Sequence, residues 1–249
     1  MLSKSRIKYI QSLYHKKFRD ESDSFIIEGP KIVSEFLQEV PGRVQSIYAT
    51  GHWLRQEQAL LRLLPTAGIE EISEDELHRI SHLTSPHQVL AIVKKWDPGD
   101  GPDTQESITL MLEGIRDPGN MGTIIRIADW FGIQNIICSD DCVELYNPKV
   151  VQSTMGSMLR VNLWYRNLKE WLTANNSLQL WAAAMHGESI YDCGTLKEGI
   201  VLIGNESSGV TESLLQRATM QITIPARGKA ESLNAAVATG IILSHVLPH

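Results

Sequence analysis

Short apolar runs that alternate with stretches of helical periodicity constrain this chain more than any other feature. After residue 107 the runs are Ile108–Leu112, Asn135–Cys138, Val161–Trp164, Leu178–Ala183, Ile200–Ile203 and Met220–Ile224. Stretches with helix-spaced apolar residues fall between them, such as Met121, Ile124, Ile125 and Ala128, and a closing one spans about Leu233 to Val246. Continuous apolar strands separated by helices predict an α/β fold with a mostly parallel sheet covered on both faces. A smaller α/β unit precedes it, with strands at Ser24–Gly29, Ser46–Thr50, Ile69–Ile72 and Val89–Val93 and helices at Pro30–Leu37, around Trp53–Leu64 and from Ser73. Between the two lies Asp97-Pro98-Gly99-Asp100-Gly101-Pro102-Asp103, whose prolines and glycines interrupt regular structure. The domains expected are therefore 1–94, a linker at 95–107, and 108–249.

Composition narrows the function. The 249 residues are 43% hydrophobic and 21% charged, as in a globular chain with a proper core. No apolar run reaches 18 residues and the polar start Met1–Arg6 carries no signal-peptide core, so a cytoplasmic protein without a membrane span is expected. Cys138, Cys142 and Cys193 fit neither a disulfide framework nor a zinc site. The eight histidines include two His-x-x-x-His spacings, His78/His82 and His245/His249, but no His-Glu-x-x-His motif, and no serine sits in a Gly-x-Ser-x-Gly elbow, so hydrolysis and metal catalysis gain little support. A net charge of -6 argues against gripping nucleic acid with the whole surface. Residues 1–20 are the exception: Lys4, Arg6, Lys8, Lys16, Lys17 and Arg19 face the single acid Asp20. Ile7, Ile10, Leu13 and Tyr14 recur among them at helical spacing, which predicts an amphipathic helix with one basic side.

Three loops carry the candidate chemistry. In Gly204-Asn205-Glu206-Ser207-Ser208-Gly209, Glu206 stands at the carboxyl end of a strand, where open α/β sheets collect ligands. It is either a polar loop residue near a helix start or a fixed carboxylate that holds a cation, orients a partner or accepts a proton. In Asp117-Pro118-Gly119-Asn120, Asn120 is a candidate helix N-cap. Arg126 lies opposite the Met121/Ile124/Ile125/Ala128 stripe, so it points to solvent, to a partner subunit or to phosphate. Ser232 and Asn234 open an alanine-rich helix at a start that reads as buried, and capping accounts for one of them more easily than for both. Neither a phosphate loop ending in Gly-Lys-Ser/Thr nor the triple glycine of a dinucleotide fingerprint is present.

Taken together, Leu112-Glu113-Gly114-Ile115-Arg116-Asp117-Pro118-Gly119-Asn120 through Arg126, Leu202-Ile203-Gly204-Asn205-Glu206-Ser207-Ser208-Gly209-Val210, and Ile222-Thr223-Ile224-Pro225 through Ser232-Leu233-Asn234 resemble the SpoU (TrmH-like) RNA ribose 2'-O-methyltransferases of the SPOUT superfamily. Lys16-Lys17-Phe18-Arg19, Phe25–Gly29 and Val89–Val93 are similar to the small substrate-binding domain often fused ahead of it. The resemblance implies a carboxyl-terminal trefoil knot, which topology rules alone would not suggest. It further implies S-adenosylmethionine as cofactor, a homodimer whose active site is completed across the interface, and a structured ribosomal or transfer RNA substrate rather than DNA. By the same resemblance Asn120, Arg126, Glu206, Ser232 and Asn234 are catalytic. Leu202, Ile203, Gly204, Ile222, Ile224, Pro225 and Leu233 hold the cofactor, and Lys16, Lys17, Arg19 and Arg126 meet RNA. Two departures stand out: Ala226-Arg227 where the family often has methionine, and Ala235-Ala236 where many members have valine–serine. Both keep a packable helix start. The alternative is an RNA-binding or ribosome-assembly protein that keeps the fold without efficient methyl transfer.

Overall fold

The computed structural model describes residues 1–62, 64, 68–205 and 207–247. Two compact units make up the chain, Met1–Asp97 with Tyr146–Leu159, and Pro98–Leu145 with Arg160–His249. The first contains α1 (Lys4–Ser12), α2 (Lys16–Ser22), β1 (Ser24–Glu28), α3 (Pro30–Glu39), β2 (Val44–Ala49), α4 (Gly51–Gln56), α5 (Gln58–Leu61), β3 (Gly68–Glu71), α6 (Glu74–Ile80) and β4 (Val89–Lys94). Its sheet has the order β1-β4-β2-β3, antiparallel except for the parallel β2–β3 pair.

Local chemistry explains these elements. Ile7 and Ile10 form the inner stripe of α1 and pack, with Leu13, into a core containing Ile26, Leu77 and Leu90. Ser73 caps α6 by accepting from Glu76 N–H at 3.2 Å while Glu76 Oε2 accepts from Ser73 N–H at 3.1 Å, a reciprocal box that satisfies two helix-start amides. The helical stretch around Trp53–Leu64 is two short helices that meet at Glu57. Residues 146–159, which the sequence reading places in the larger domain, pack in the first unit. Tyr146 lies 4.8 Å from Phe25 and 5.5 Å from Trp96 between ring centroids, and its hydroxyl donates to Trp96 O at 2.7 Å.

The second unit runs β5 (Ile108–Leu112), α7 (Pro118–Trp130) and β6 (Asn135–Cys138). After α8 (Pro148–Thr154), which belongs to the first unit, come β7 (Asn162–Tyr165), α9 (Leu168–Ala174), β8 (Leu180–Ser189), β9 (Gly199–Ile203), α10 (Glu212–Leu215), β10 (Met220–Thr223) and α11 (Ala235–Val246). The six strands lie in the order β10-β8-β9-β5-β6-β7, and every neighbouring pair is parallel. β5 and β9 are buried along their whole length, which is why they read as uninterrupted apolar runs. α11 packs on α7, and a Cβ added at Gly240 would sit 3.6 Å from Ile127 Cδ1. From β5 the chain steps outward through β6 and β7, then returns to lay β9 against the other side of β5. That reversal is where ligands collect in open parallel sheets.

Ile200 is fully buried in the core that Met111, Ile137, Leu202 and Leu214 share. Ile200→Ala should lower stability by about 2–5 kcal/mol, the range for emptying a tightly packed aliphatic site. Urea unfolding followed by circular dichroism checks this, and an unchanged midpoint would contradict the packing described.

Candidate functional site

The carboxyl ends of β5 and β9 are stitched together by side chains. Glu113 follows β5 and accepts two hydrogen bonds, from Thr211 N–H to Oε2 and from Thr211 Oγ1 to Oε1, each 2.8 Å. Asn205 follows β9 and donates through Nδ2 to Gly114 O at 2.7 Å. Its Oδ1 accepts from Ser207 N–H at 2.8 Å and Ser208 N–H at 3.2 Å, and its backbone exchanges two hydrogen bonds with Gly209. This is a closed turn held by one amide. Gly204 precedes it, and a Cβ there would overlap the backbone of Gly209 and Val210. Glu206 lies outside the described residues.

The loop from β5 to α7 is anchored from below. Gly114 N–H donates to Ser139 Oγ at 2.9 Å and Ile115 N–H to Cys142 Sγ at 3.2 Å. Hydrogen bonding from Cys138, then from Ser139 and Ile115 N–H, outweighs burial and lowers the Cys142 thiol to about 7. Asp141 accepts from Ser139 and from Arg116 at 2.8 Å, and those two bonds hold its carboxyl below the usual range.

Of the residues singled out in the sequence, Asn120 and Asn234 meet: Asn234 Nδ2 donates to Asn120 Oδ1 at 2.7 Å. Asn234 also caps α11, its Oδ1 accepting from Ala236 N–H at 3.0 Å and Val237 N–H at 3.2 Å. Asn120 is not the cap of α7. That role belongs to Asp117, whose Oδ1 accepts Asn120 N–H at 2.8 Å, and this leaves the Asn120 side chain to reach Asn234. Arg126 is exposed while Met121, Ile124, Ile125 and Ala128 are buried, and it has no hydrogen-bond or ion-pair partner among the described residues. The expectation of a buried start to the last helix is corrected: Ser232, Leu233 and Asn234 are exposed, and α11 begins at Ala235.

The cofactor candidates fall at the ends of β9 and β10, the two strands that flank β8. Leu202 and Ile203 end β9 and are buried with Ile222 of β10, whereas Ile224 is half-buried, Pro225 exposed and Leu233 45% exposed. The β8–β10 ladder opens at this point. Gln221 pairs with Ala182 but Ile222 pairs with Glu188, so residues 183–187 have no counterpart on β10. Gly187 passes so close to the Gln221 carbonyl that a side chain would overlap it. Sequence reasoning missed this jump, although the small residues Ala182–Ala184 and Gly187 are its visible trace.

In the first unit Lys16 and Lys17 are exposed, Lys16 bonded to Asp20 at 2.6 Å and Lys17 3.8 Å from Glu21. Arg19 departs from the expected RNA-facing role. It is 2% exposed, and its Nη1 donates to Leu13 O at 2.9 Å, so it braces the turn after α1. Arg6 is drawn inward in the same way, onto the Tyr48 hydroxyl and Ser46 Oγ.

In the second unit a cleft of about 540 Å³ opens over the ends of β5, β6, β7 and β9, between Glu113, Gly114 and Arg116, the Ser139–Asp141 and Arg166–Lys169 stretches, and Asn205, Ser208 and Thr211. Among the described residues no cluster of three His, Cys, Asp or Glu side chains suits a metal ion, and no helix is long and apolar enough to cross a membrane.

Residues 107–244 match the SpoU rRNA Methylase family, and residues 4–91 the MRM3-like substrate binding domain. The chain is 30% identical over 246 residues to the 23S rRNA (guanosine(2553)-2'-O)-methyltransferase RlmP of Bacillus subtilis, covering 97% of this chain and 95% of the relative. An AdoMet-bound rRNA methyltransferase from Sinorhizobium meliloti superimposes with a TM-score of 0.83 at 28% identity, over 98% of this chain and 95% of that one. The SpoU methyltransferase AviRb from Streptomyces viridochromogenes, in complex with AdoMet, gives 0.82 at 25% identity over 98% and 97%.

The overlap at Gly204 makes a direct test of the stitched loop. Gly204→Ala should cost about 1–3 kcal/mol, as forced backbone shifts do, and hydrogen exchange at the Asn205 and Gly209 amides should accelerate. Unchanged exchange at both amides would show that the turn accommodates a side chain.

Proposed function

We propose that this chain, which belongs to the SpoU rRNA Methylase family, transfers a methyl group from S-adenosylmethionine to a ribose 2'-hydroxyl in ribosomal or transfer RNA. The observation that carries the reading is the Asn120–Asn234 hydrogen bond at the start of α7, the helix on which Arg126 is exposed with no partner among the described residues. It joins the first turn of α7 to the residue that opens α11, 114 residues on, and neither the Asn120 amide nor the Arg126 guanidinium has a capping role there. Relatives named as 2'-O-methyltransferases support it over the RNA-binding alternative. We assign residues 1–94 to RNA substrate binding, with Lys16 and Lys17 as phosphate contacts, 95–107 to a linker, and 108–249 to a SPOUT methyltransferase domain with a trefoil knot in its carboxyl-terminal part. The enzyme is cytoplasmic on this reading.

The residues at the β9 and β10 ends suit the cofactor. The ladder opens beside them, Gly204 keeps the β9 end free of side chain, and the exposed Leu233 offers apolar surface for an adenosine. Leu202, Ile203, Gly204, Ile222, Ile224, Pro225 and Leu233 would hold it. When bound, the cofactor supplies a methyl carbon already activated by a positive sulfur. The protein must then orient the ribose oxygen, receive its proton and stabilise the charge that develops there. Arg126 holds phosphate and favours the developing alkoxide; a protonated guanidinium has no lone pair to act as a base. Asn120 and Asn234 orient one another, with Ser232 and Glu206 completing the site and either Glu206 or an RNA phosphate receiving the proton. Two chains pair, so that Arg126 of one completes the site of the other. Trp130, 85% exposed, and Val237, 51% exposed, on the packed α7–α11 pair, with Leu233 at 45% just ahead of α11, support such an interface, since apolar groups left exposed together mark association sites.

Purified protein with labelled S-adenosylmethionine and RNA from a strain lacking it should methylate a ribose at a defined site. Arg126→Ala should lose about 100-fold or more of turnover, as when a transition-state donor is removed, while S-adenosylhomocysteine affinity is kept. Full activity in the variant would remove Arg126 from the mechanism; no transfer to ribosomal, precursor or transfer RNA would favour the alternative.

The pairing is tested separately. Trp130→Asp should shift sedimentation from dimer toward monomer and lower activity together with it. A wild-type monomer at micromolar concentration would rule out the shared site.

A further inference from the structure

The cleft over β5, β6, β7 and β9 has no role in the chemistry assigned above, and its charges are unevenly satisfied. Both oxygens of Glu113 are occupied by Thr211, and Asp141 is engaged by Arg116 and Ser139. Arg166 is different. Its guanidinium donates only to backbone carbonyls, Tyr165 O at 2.9 Å and Asp100 O at 3.2 Å, so its position is fixed while its charge meets no carboxylate among the described residues. The Lys169 ammonium, in the first turn of α9, has no partner among the described residues, and Asp140 is the one lining acid without a partner among them.

A guanidinium held by two backbone carbonyls, with an exposed ammonium three residues on in the same cleft, suits a phosphodiester, whose charge is spread over two oxygens. We infer that Arg166 and Lys169 form a phosphate-docking site for the RNA strand beside the target nucleotide; this rests on the RNA reading above. The wall of the cleft makes the placement useful. Gly114–Arg116 forms one side and leads directly into Asp117, the cap of α7, the helix that carries Asn120 and Arg126. The Asn205 turn forms another side and is tied to Gly114. A strand anchored here is therefore registered against the same backbone that positions the candidate catalytic groups. Two contacts that fix a strand without reading its bases contribute to affinity and register.

The test measures equilibrium binding of an unmethylated 23S ribosomal RNA transcript to the full-length protein across a salt series. Arg166→Gln/Lys169→Gln should weaken binding about tenfold near 0.1 M salt and flatten the slope of log K against log salt by about 1.4–1.8, the contribution of two phosphate contacts. S-adenosylhomocysteine affinity should be unchanged, which separates this from a damaged fold. Arg166→Lys, with the charge kept, should recover most of the slope. An unchanged slope in the double variant, or a wild-type protein that does not bind the transcript, overturns the inference. Wild-type binding with the expected slope loss but no methyl transfer to any RNA leaves the docking site standing and overturns only the enzymatic reading.

Discussion

Everything at the functional end of the second unit depends on how β5 and β9 are joined beyond the last ladder bond. Two parallel strands that neighbour in space but are ninety residues apart in sequence cannot share a short turn. Their loops must be fixed by side chains instead. Glu113 does this with two hydrogen bonds to Thr211, and Asn205 with one to Gly114 and two to its own turn. Each such bond is worth only about 0.5–1.5 kcal/mol net. Their value lies in converging on one point from both strands, so that neither loop moves without the other.

The strands, most helices and the parallel sheet were legible because they follow from period and burial. β5 and β9 are buried on both faces and therefore apolar throughout; α7 shows its inner stripe at the expected spacing. The caps were legible only by type. Asp117 and Asn120 are both good N-cap residues three positions apart, and the one nearer the strand takes the role. That choice releases Asn120 for Asn234, a pairing no local rule reveals. Likewise the jump from Ala182 to Glu188 opposite consecutive β10 residues is a property of two strands, invisible in either alone.

Charge was the feature most easily misread. Arg6 and Arg19 look like members of a basic surface, yet each guanidinium turns inward to polar oxygens of its own unit. An arginine has a long apolar stem and five donors, so a buried position is available to it wherever carbonyls or hydroxyls can surround the head. A lysine has no such planar fork, and Lys16 and Lys17 stay outside. Counting cations along a helix therefore overstates the positive face by those arginines that find backbone to bind.

The same reasoning removes the conflict between a net charge of -6 and an RNA substrate. The acids nearest the candidate site are committed in part to local tasks: Glu113 to Thr211, Asp141 to Arg116 and Asp117 to the start of α7. Arg126, Arg166 and Lys169 are not committed to carboxylates among the described residues. At physiological salt the field of a distant acid is screened within about 8 Å, so a phosphate senses the cations it touches far more than the sum over the chain. A few cations, with Glu113 and Asp141 beside two of them already engaged by hydrogen bonds, can bind a polyanion at defined points while the acidic remainder discourages binding elsewhere. Such a surface favours register over raw affinity, which is what modification of a single ribose demands.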